Sequence, residues 1–157
     1  MNQWSVHSPV GDLTITEENN QIIALDWGRS PPDYQHKTPV LAEAADWLEH
    51  YFDGTFRKIE FPLNPAGTPF QRAVWDFMLS VPPGSTATYG DTARAVGSAA
   101  QPVGTACGAN PIPIIIPCHR IVAAGGKLGG YSGAGGVDTK RVLLQLEATL
   151  FSLSNAS

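Results

Sequence analysis

Cysteine is scarce in this chain of 157 residues, with only Cys107 and Cys118 present. Two cysteines cannot build a disulfide framework, and these two lack the paired spacing of a structural zinc site. The chain therefore reads as a cytoplasmic protein with neither metal nor cofactor. Long apolar runs are missing too: the longest, Ile112 to Ile116, is short and broken by proline, and Met1 to Asn20 is polar and alternating. Neither a membrane span nor a signal peptide is expected. Basic charge is also thin, ten Lys and Arg against fourteen Asp and Glu for a net charge of −4. Its distribution is uneven: residues 1–71 carry four basic against ten acidic side chains, and residues 72–157 carry six against four. Contact with phosphates belongs to the second half, at modest affinity that salt should clearly weaken. Seven glycines fall between Gly125 and Gly136, but without phosphate-loop spacing or a following Lys-Ser/Thr, which excludes nucleotide binding by that route.

What is present divides into two modules. Trp4 to His7, Leu13 to Thr16 and Ile22 to Trp27 are strand-like runs separated by turn residues, so an antiparallel meander is expected. Thr38 can cap and Pro39 can open a helix with Leu41, Ala45, Leu48 and Phe52 on one face, ended by Gly54. Lys58 to Phe61 suggests a further strand, and Pro62 to Gly67 a linker. Thr68-Pro69-Phe70-Gln71 is a capping-box pattern leading into a helix to about Leu79. Two short helices, Gly90 to Val96 and about Gln101 to Ala109, flank a Gly97-Ser98 turn and suggest a helix-turn-helix. Pro111, Pro113 and Pro117 force Asn110 to Pro117 to be extended. A last helix is expected from about Asp138 to Leu150.

The segment richest in chemistry is Ile116-Pro117-Cys118-His119-Arg120, an apolar strand opening into the glycine-rich loop. A thiol has a reference pKa of about 8.5, and a neighbouring histidine can raise its thiolate fraction. Cys118 therefore reads as an aimed nucleophile. Arg120 is expected to brace the loop through carbonyl or carboxylate contacts, and Cys107 to be inert core.

Gly67-Thr68-Pro69-Phe70-Gln71, Tyr89, Asn110-Pro111, Pro117-Cys118-His119-Arg120 and Tyr131-Ser132-Gly133, in this order, resemble the O6-alkylguanine-DNA alkyltransferases, also called methylated-DNA-protein-cysteine methyltransferases. The resemblance runs over essentially the whole chain and is most specific from Thr68 to Glu147. It implies an α/β ribonuclease H-like domain at residues 1–64. A mostly α domain at residues 65–157, with a winged-helix-like helix-turn-helix, would bind DNA and take the alkyl group. The partner would be double-stranded DNA containing O6-alkylguanine, bound by a monomer. The alkylated base must leave the stack to be attacked. Cys118 would displace guanine from the alkyl carbon, giving a thioether that ends the protein's activity. His119 would accept the thiol proton through a water, with Glu147 orienting it. Tyr89 would donate to guanine N3, the Ser132 backbone N–H to O6, and the Cys118 and Ile121 carbonyls would accept from the exocyclic amine. Asn110 would hold the turn before the active-site strand, and Tyr131 would pack as an aromatic wall. Arg94, Ala100, Gln101 and Pro102 would meet DNA, the second helix entering the minor groove.

The chain departs from the family at one place. Where the family has Ala-Ala-Arg-Ala-Val-Gly, this sequence has Ala99-Ala100-Gln101-Pro102-Val103-Gly104, after a turn that is shorter by a couple of residues. Glutamine can bond an orphaned cytosine but lacks the guanidinium's charge and stacking. Weaker DNA binding with intact chemistry is expected. A sensor that flips the lesion without transferring the group is the alternative, and retention of Cys118 argues against it. A cysteine hydrolase fits poorly, because Cys118 and His119 are adjacent rather than converging from distant segments.

Overall fold

The computed structural model describes residues 1–131 and 133–151. The first module is the expected meander: β1 (Asn2–Val6), β2 (Leu13–Glu18) and β3 (Gln21–Trp27) pair antiparallel in the order β1-β2-β3. Leu13, Ile15, Ile22 and Leu25 are buried beneath α1 (Pro39–Phe52), which Thr38 caps. The buried face of α1 is Val40, Leu41, Ala44, Trp47, Leu48 and Tyr51. Ala45 and Phe52, assigned to that face from the sequence, lie only at its margin. Lys58 to Phe61 forms no strand. The pairing occurs just beyond it, where Ile22 N–H donates to Pro62 (2.9 Å) and Asn64 N–H donates to Ile22 (2.8 Å). Ile59 and Phe61 turn inward as a strand's would, but Pro62 has no N–H to extend a ladder.

In the second module α2 (Pro69–Leu79) starts at the expected capping box, Thr68 and Gln71 satisfying each other's backbone N–H groups. Trp75 is buried and its indole N–H donates to Ala106 (2.9 Å), fixing α2 against α4. A second capping box, Thr88 with Asp91, opens α3 (Tyr89–Val96). Gly97 takes the left-handed conformation, φ 69°, and ends it, and α4 (Ala100–Gly108) follows. Pro102 stands in the first turn of α4, where backbone N–H groups have no intrahelical partner. The proline therefore costs the helix no hydrogen bond. Short strands β4 (Ala87–Thr88) and β5 (Ile121–Val122) pair in parallel across the module. The last helix, α5 (Val137–Leu146), widens into a π-helical turn at Glu147–Phe151.

Between α4 and β5 the chain is not extended throughout, as the prolines suggested. It makes a tight buried loop in which Ile116 N–H returns to Ile112 (2.9 Å) and Ile114 is held at φ 73°. A β-branched residue in that region is strained by about 1–3 kcal/mol and persists only where its surroundings impose it. Asn110 imposes it: its side-chain oxygen accepts from Ile112 N–H and its amide donates to the Ile116 carbonyl, both at 2.9 Å. The Ile116 carbonyl also accepts from Cys118 N–H (2.8 Å). The loop is tied to the meander as well, through Leu25 N–H to Pro111 (2.9 Å). One continuous apolar core runs through both modules.

Asn110→Ala leaves a buried N–H and weakens a buried carbonyl's bonding. A loss of about 2–4 kcal/mol is expected from urea unfolding. A change within about 0.5 kcal/mol would show that the side chain is not the clamp.

Candidate active site

Cys118 begins a single 3₁₀ turn, Cys118–Arg120, rather than lying on a strand, because Pro117 lacks an N–H and the Ile112–Ile116 loop has already turned the chain. It is buried, and burial pushes its thiol pKa up, with the Asn110 amide and the Lys140 charge opposing. The resting group is the thiol, not the thiolate that a neighbouring histidine was expected to favour.

His119 is fully buried and its Nε2 lies 2.5 Å from Glu147 Oε2. Burial lowers the imidazole pKa, against the hydrogen bond and charge of Glu147, so the ring is neutral at pH 7. For Glu147, burial alone would raise the pKa; the His119 hydrogen bond, the charge His119 takes on once protonated in acid, and the Arg120 guanidinium outweigh it and hold the carboxyl down to about 2. An ionised carboxylate only accepts, so Nε2 carries the ring proton and Nδ1 is the bare, basic nitrogen. Nδ1 is buried without a protein hydrogen-bond partner among the described residues.

Glu147 collects further donors. Arg120 donates Nε to Oε1 (2.8 Å) and Nη2 to Oε2 (3.0 Å), with Nη1 on the Val81 carbonyl (2.7 Å). Arg120 is thus the brace expected of it. Tyr51, on α1 of the first module, donates its hydroxyl to Oε2 at 2.5 Å. The sequence reading missed this residue.

Beside Cys118 lies a cavity of about 410 Å³, lined by Tyr89, Gly104, Cys107, Gly108, Cys118, Gly130 and Tyr131. That volume falls within the range of small-molecule pockets. Hollows of about 560 and 660 Å³ elsewhere are lined by no cysteine among the described residues. Gly104, Cys107 and Gly108 bring one face of α4 to the cavity, so the second helix of the pair is also a wall of the site. Cys107 is on that wall rather than simply in the core. Burial nonetheless pushes its thiol up to about 12, which leaves it unreactive. Tyr89 is half-buried, and burial raises its hydroxyl pKa, so it remains a donor at neutral pH. Gly129, at φ 73°, passes so close that a Cβ there would meet the Tyr89 hydroxyl at 2.9 Å. Tyr131 packs edge-on against Trp27 (6.3 Å) as expected, and its buried hydroxyl has no hydrogen-bond partner among the described residues. Ser132 lies outside the described residues.

Both carbonyls expected to accept from a base already have one donor: Cys118 takes Ile121 N–H, and Ile121 takes the Lys140 ammonium at 2.7 Å. Each keeps a second lone pair. Lys140, also missed from the sequence, is completely buried, reaches Gly130 (3.0 Å) as well, and lies 5.8 Å above the Tyr89 ring. Arg94, Ala100, Gln101 and Pro102 are all exposed on the helix pair, with Arg94 ion-paired to Asp91. Of the six basic residues in the second half, Arg120 and Lys140 are buried and Arg94 and Arg141 are paired with acids. Arg72 and Lys127 remain as exposed charges without an acidic partner among the described residues, fewer than composition suggested.

The buried pair gives stability a definite pH dependence. His119 and Glu147 both have folded pKa values below their ordinary 6.5 and 4.5. Their contributions are present above those values and lost on acidification, His119 first below pH 6.5, Glu147 between pH 4.5 and about 2. Urea midpoints should fall in that order. Glu147→Gln should cost about 3 kcal/mol or more at pH 7 and flatten the part below pH 4.5. An unchanged acid limb would refute the ionised buried carboxylate.

Comparison with known proteins agrees in both modules. A family model described as the ribonuclease-like domain of 6-O-methylguanine DNA methyltransferase matches residues 4–65, and one described as its DNA binding domain matches residues 69–149. The methylated-DNA–protein-cysteine methyltransferase of Mycobacterium tuberculosis is 40% identical over 150 residues, 91% of this chain and 90% of that protein. The constitutive one of Bacillus subtilis is 38% identical over 159 residues, covering 94% and 96%. A crystal structure of Mycobacterium tuberculosis OGT in complex with DNA superposes with a TM-score of 0.84 at 37% identity, covering 95% of this chain and 94% of that one. With both modules matched and relatives this similar along most of their length, the chain belongs to the methylated-DNA–protein-cysteine methyltransferase family.

Proposed function

We propose that the chain repairs double-stranded DNA by moving the alkyl group of O6-alkylguanine, chiefly O6-methylguanine, irreversibly onto Cys118, once per molecule, as a monomer in the cytoplasm. The observation that carries this reading is a buried thiol on a base-sized cavity, followed directly by a neutral histidine held by a buried carboxylate. The helix pair would hold the duplex, with Arg94, Ala100, Gln101 and Pro102 at the contact, and the lesion would turn out of the stack into the cavity.

In the reaction the thiol proton passes by way of a water to His119 Nδ1, and sulfur attacks the alkyl carbon. The S–C bond forms as the C–O6 bond breaks, and the electron pair leaves with guanine. Glu147 stabilises the imidazolium that results. Guanine leaves more readily when its new charge meets a donor, a role we assign to the Tyr89 hydroxyl at N3 and the Ser132 backbone N–H at O6. The second lone pairs of the Cys118 and Ile121 carbonyls would take the exocyclic amine and so select guanine. Tyr131 would face the base with its ring, and Asn110 would keep the Cys118 turn in place.

Excess duplex containing one O6-methylguanine should add a single methyl to the intact protein, mapped to Cys118, and nothing to Cys118→Ala. Lesion-specific binding without added mass would make the chain a sensor instead. Gln101→Arg adds one cation at the duplex surface. It should tighten duplex binding about fivefold at low salt and leave transfer from the free base within about twofold. Equal gains on both substrates would remove Gln101 from the DNA contact.

A further inference from the structure

Tyr51 carries a polar group from the first module into the active site. Its hydroxyl donates to Glu147 Oε2 at 2.5 Å, across 96 residues of sequence, onto the same oxygen that holds His119 Nε2. The ring cannot easily move away. It is buried, stacked on Trp47 (5.5 Å, 13°) and met edge-on by Phe52 (5.0 Å), while the Trp47 indole N–H is fixed to the Arg57 carbonyl (2.8 Å). The end of α1 is also closed against the π-helical turn: a Cβ on Gly54 would meet Leu150 at 2.6 Å. Glu147 is therefore fixed from its own helix, from the Cys118–Arg120 turn, and from the other module.

We propose that Tyr51 is a positioning residue of the transfer site, through which the first module sets how strongly Glu147 draws on the His119 proton. The inference rests on the alkyl-transfer reading above. Two donors share Oε2 with His119, the Tyr51 hydroxyl and Arg120 Nη2. Each takes part of the carboxylate's charge. Without Tyr51 that charge falls more heavily on the imidazole, the imidazolium is favoured, and the base is occupied by a proton to higher pH. The other titratable and charged groups that face the pair are Arg120 on the turn, Lys140 on α5 and Tyr131 on the glycine-rich loop, and Tyr51→Phe replaces none of them.

The test is the pH dependence of methyl transfer to Cys118, from intact-protein mass under single-turnover conditions, for wild type, Tyr51→Phe and Trp47→Phe. Tyr51→Phe keeps the ring and its stacking. Its rising limb should move up by about half to one pH unit, with the high-pH plateau within about twofold of wild type. Trp47→Phe keeps an aromatic ring against Tyr51 and leaves the Tyr51 hydroxyl on Glu147 but loses the indole bond to Arg57, so it should lower the melting temperature and move the limb by less than Tyr51→Phe does. In the wild-type protein, moreover, the Tyr51 hydroxyl proton should give a slowly exchanging NMR resonance, so a poorly folding variant does not leave the proposal untested. A limb unmoved in Tyr51→Phe, or a rapidly exchanging hydroxyl, overturns the proposal. Wild type that transfers no methyl overturns the underlying reading as well.

Discussion

The buried carboxylate of Glu147 is the constraint around which the site is built. An ionised group so far from water is tolerable only when its lone pairs are filled by donors of good geometry. Four donors do so: His119 Nε2, two nitrogens of Arg120 and the Tyr51 hydroxyl. Each comes with a structural consequence. Arg120 carries the bond on to Val81 just past α2, His119 is left with its basic nitrogen free of protein partners among the described residues, and Tyr51 joins the first module to the second. Because breaking such a pair costs several kcal/mol, the histidine's orientation and tautomer are set by the fold before any substrate arrives.

A second constraint governs the nucleophile. Asn110 pins a loop that contains a strained Ile114, and the carbonyl it holds also receives the Cys118 N–H. The loop begins where α4 ends, and α4 itself walls the cavity through Gly104, Cys107 and Gly108. The element that would dock on DNA and the turn that carries the thiol are thus separated by one short, rigid connection. A protonated, buried thiol is less open to stray electrophiles than an exposed thiolate.

Much of this was legible in the sequence, and the parts that were not share a cause. The meander, α1, α2 and the helix pair follow from alternation, from Thr68 with Gln71 and from the left-handed Gly97, all local signals. Cys118, His119 and Glu147 were singled out by motif and order; the structure pairs His119 with Glu147 and sets the adjacent Cys118 on the cavity. Tyr51 escaped because a tyrosine on an amphipathic helix reads as packing, and its partner lies 96 residues away. Lys140 escaped because a lysine on a helix reads as solvated, and only the fold shows it beneath the Ile121 and Gly130 carbonyls. The strand expected at Lys58 to Phe61 had the right alternation but no neighbour in register, and pairing depends on a partner that local pattern does not contain. The Cys118 turn was read as a strand because three prolines exclude helix without specifying which irregular path replaces it.

The site depends on a neutral His119 that donates an Nε2–H hydrogen bond to the ionised Glu147 and keeps Nδ1 as the base. Long-range nitrogen–proton NMR spectra of the ring at pH 7 test this directly. A single protonated nitrogen at Nε2, with Nδ1 bare, is the predicted result. A ring protonated on both nitrogens, or on Nδ1 alone, would contradict it.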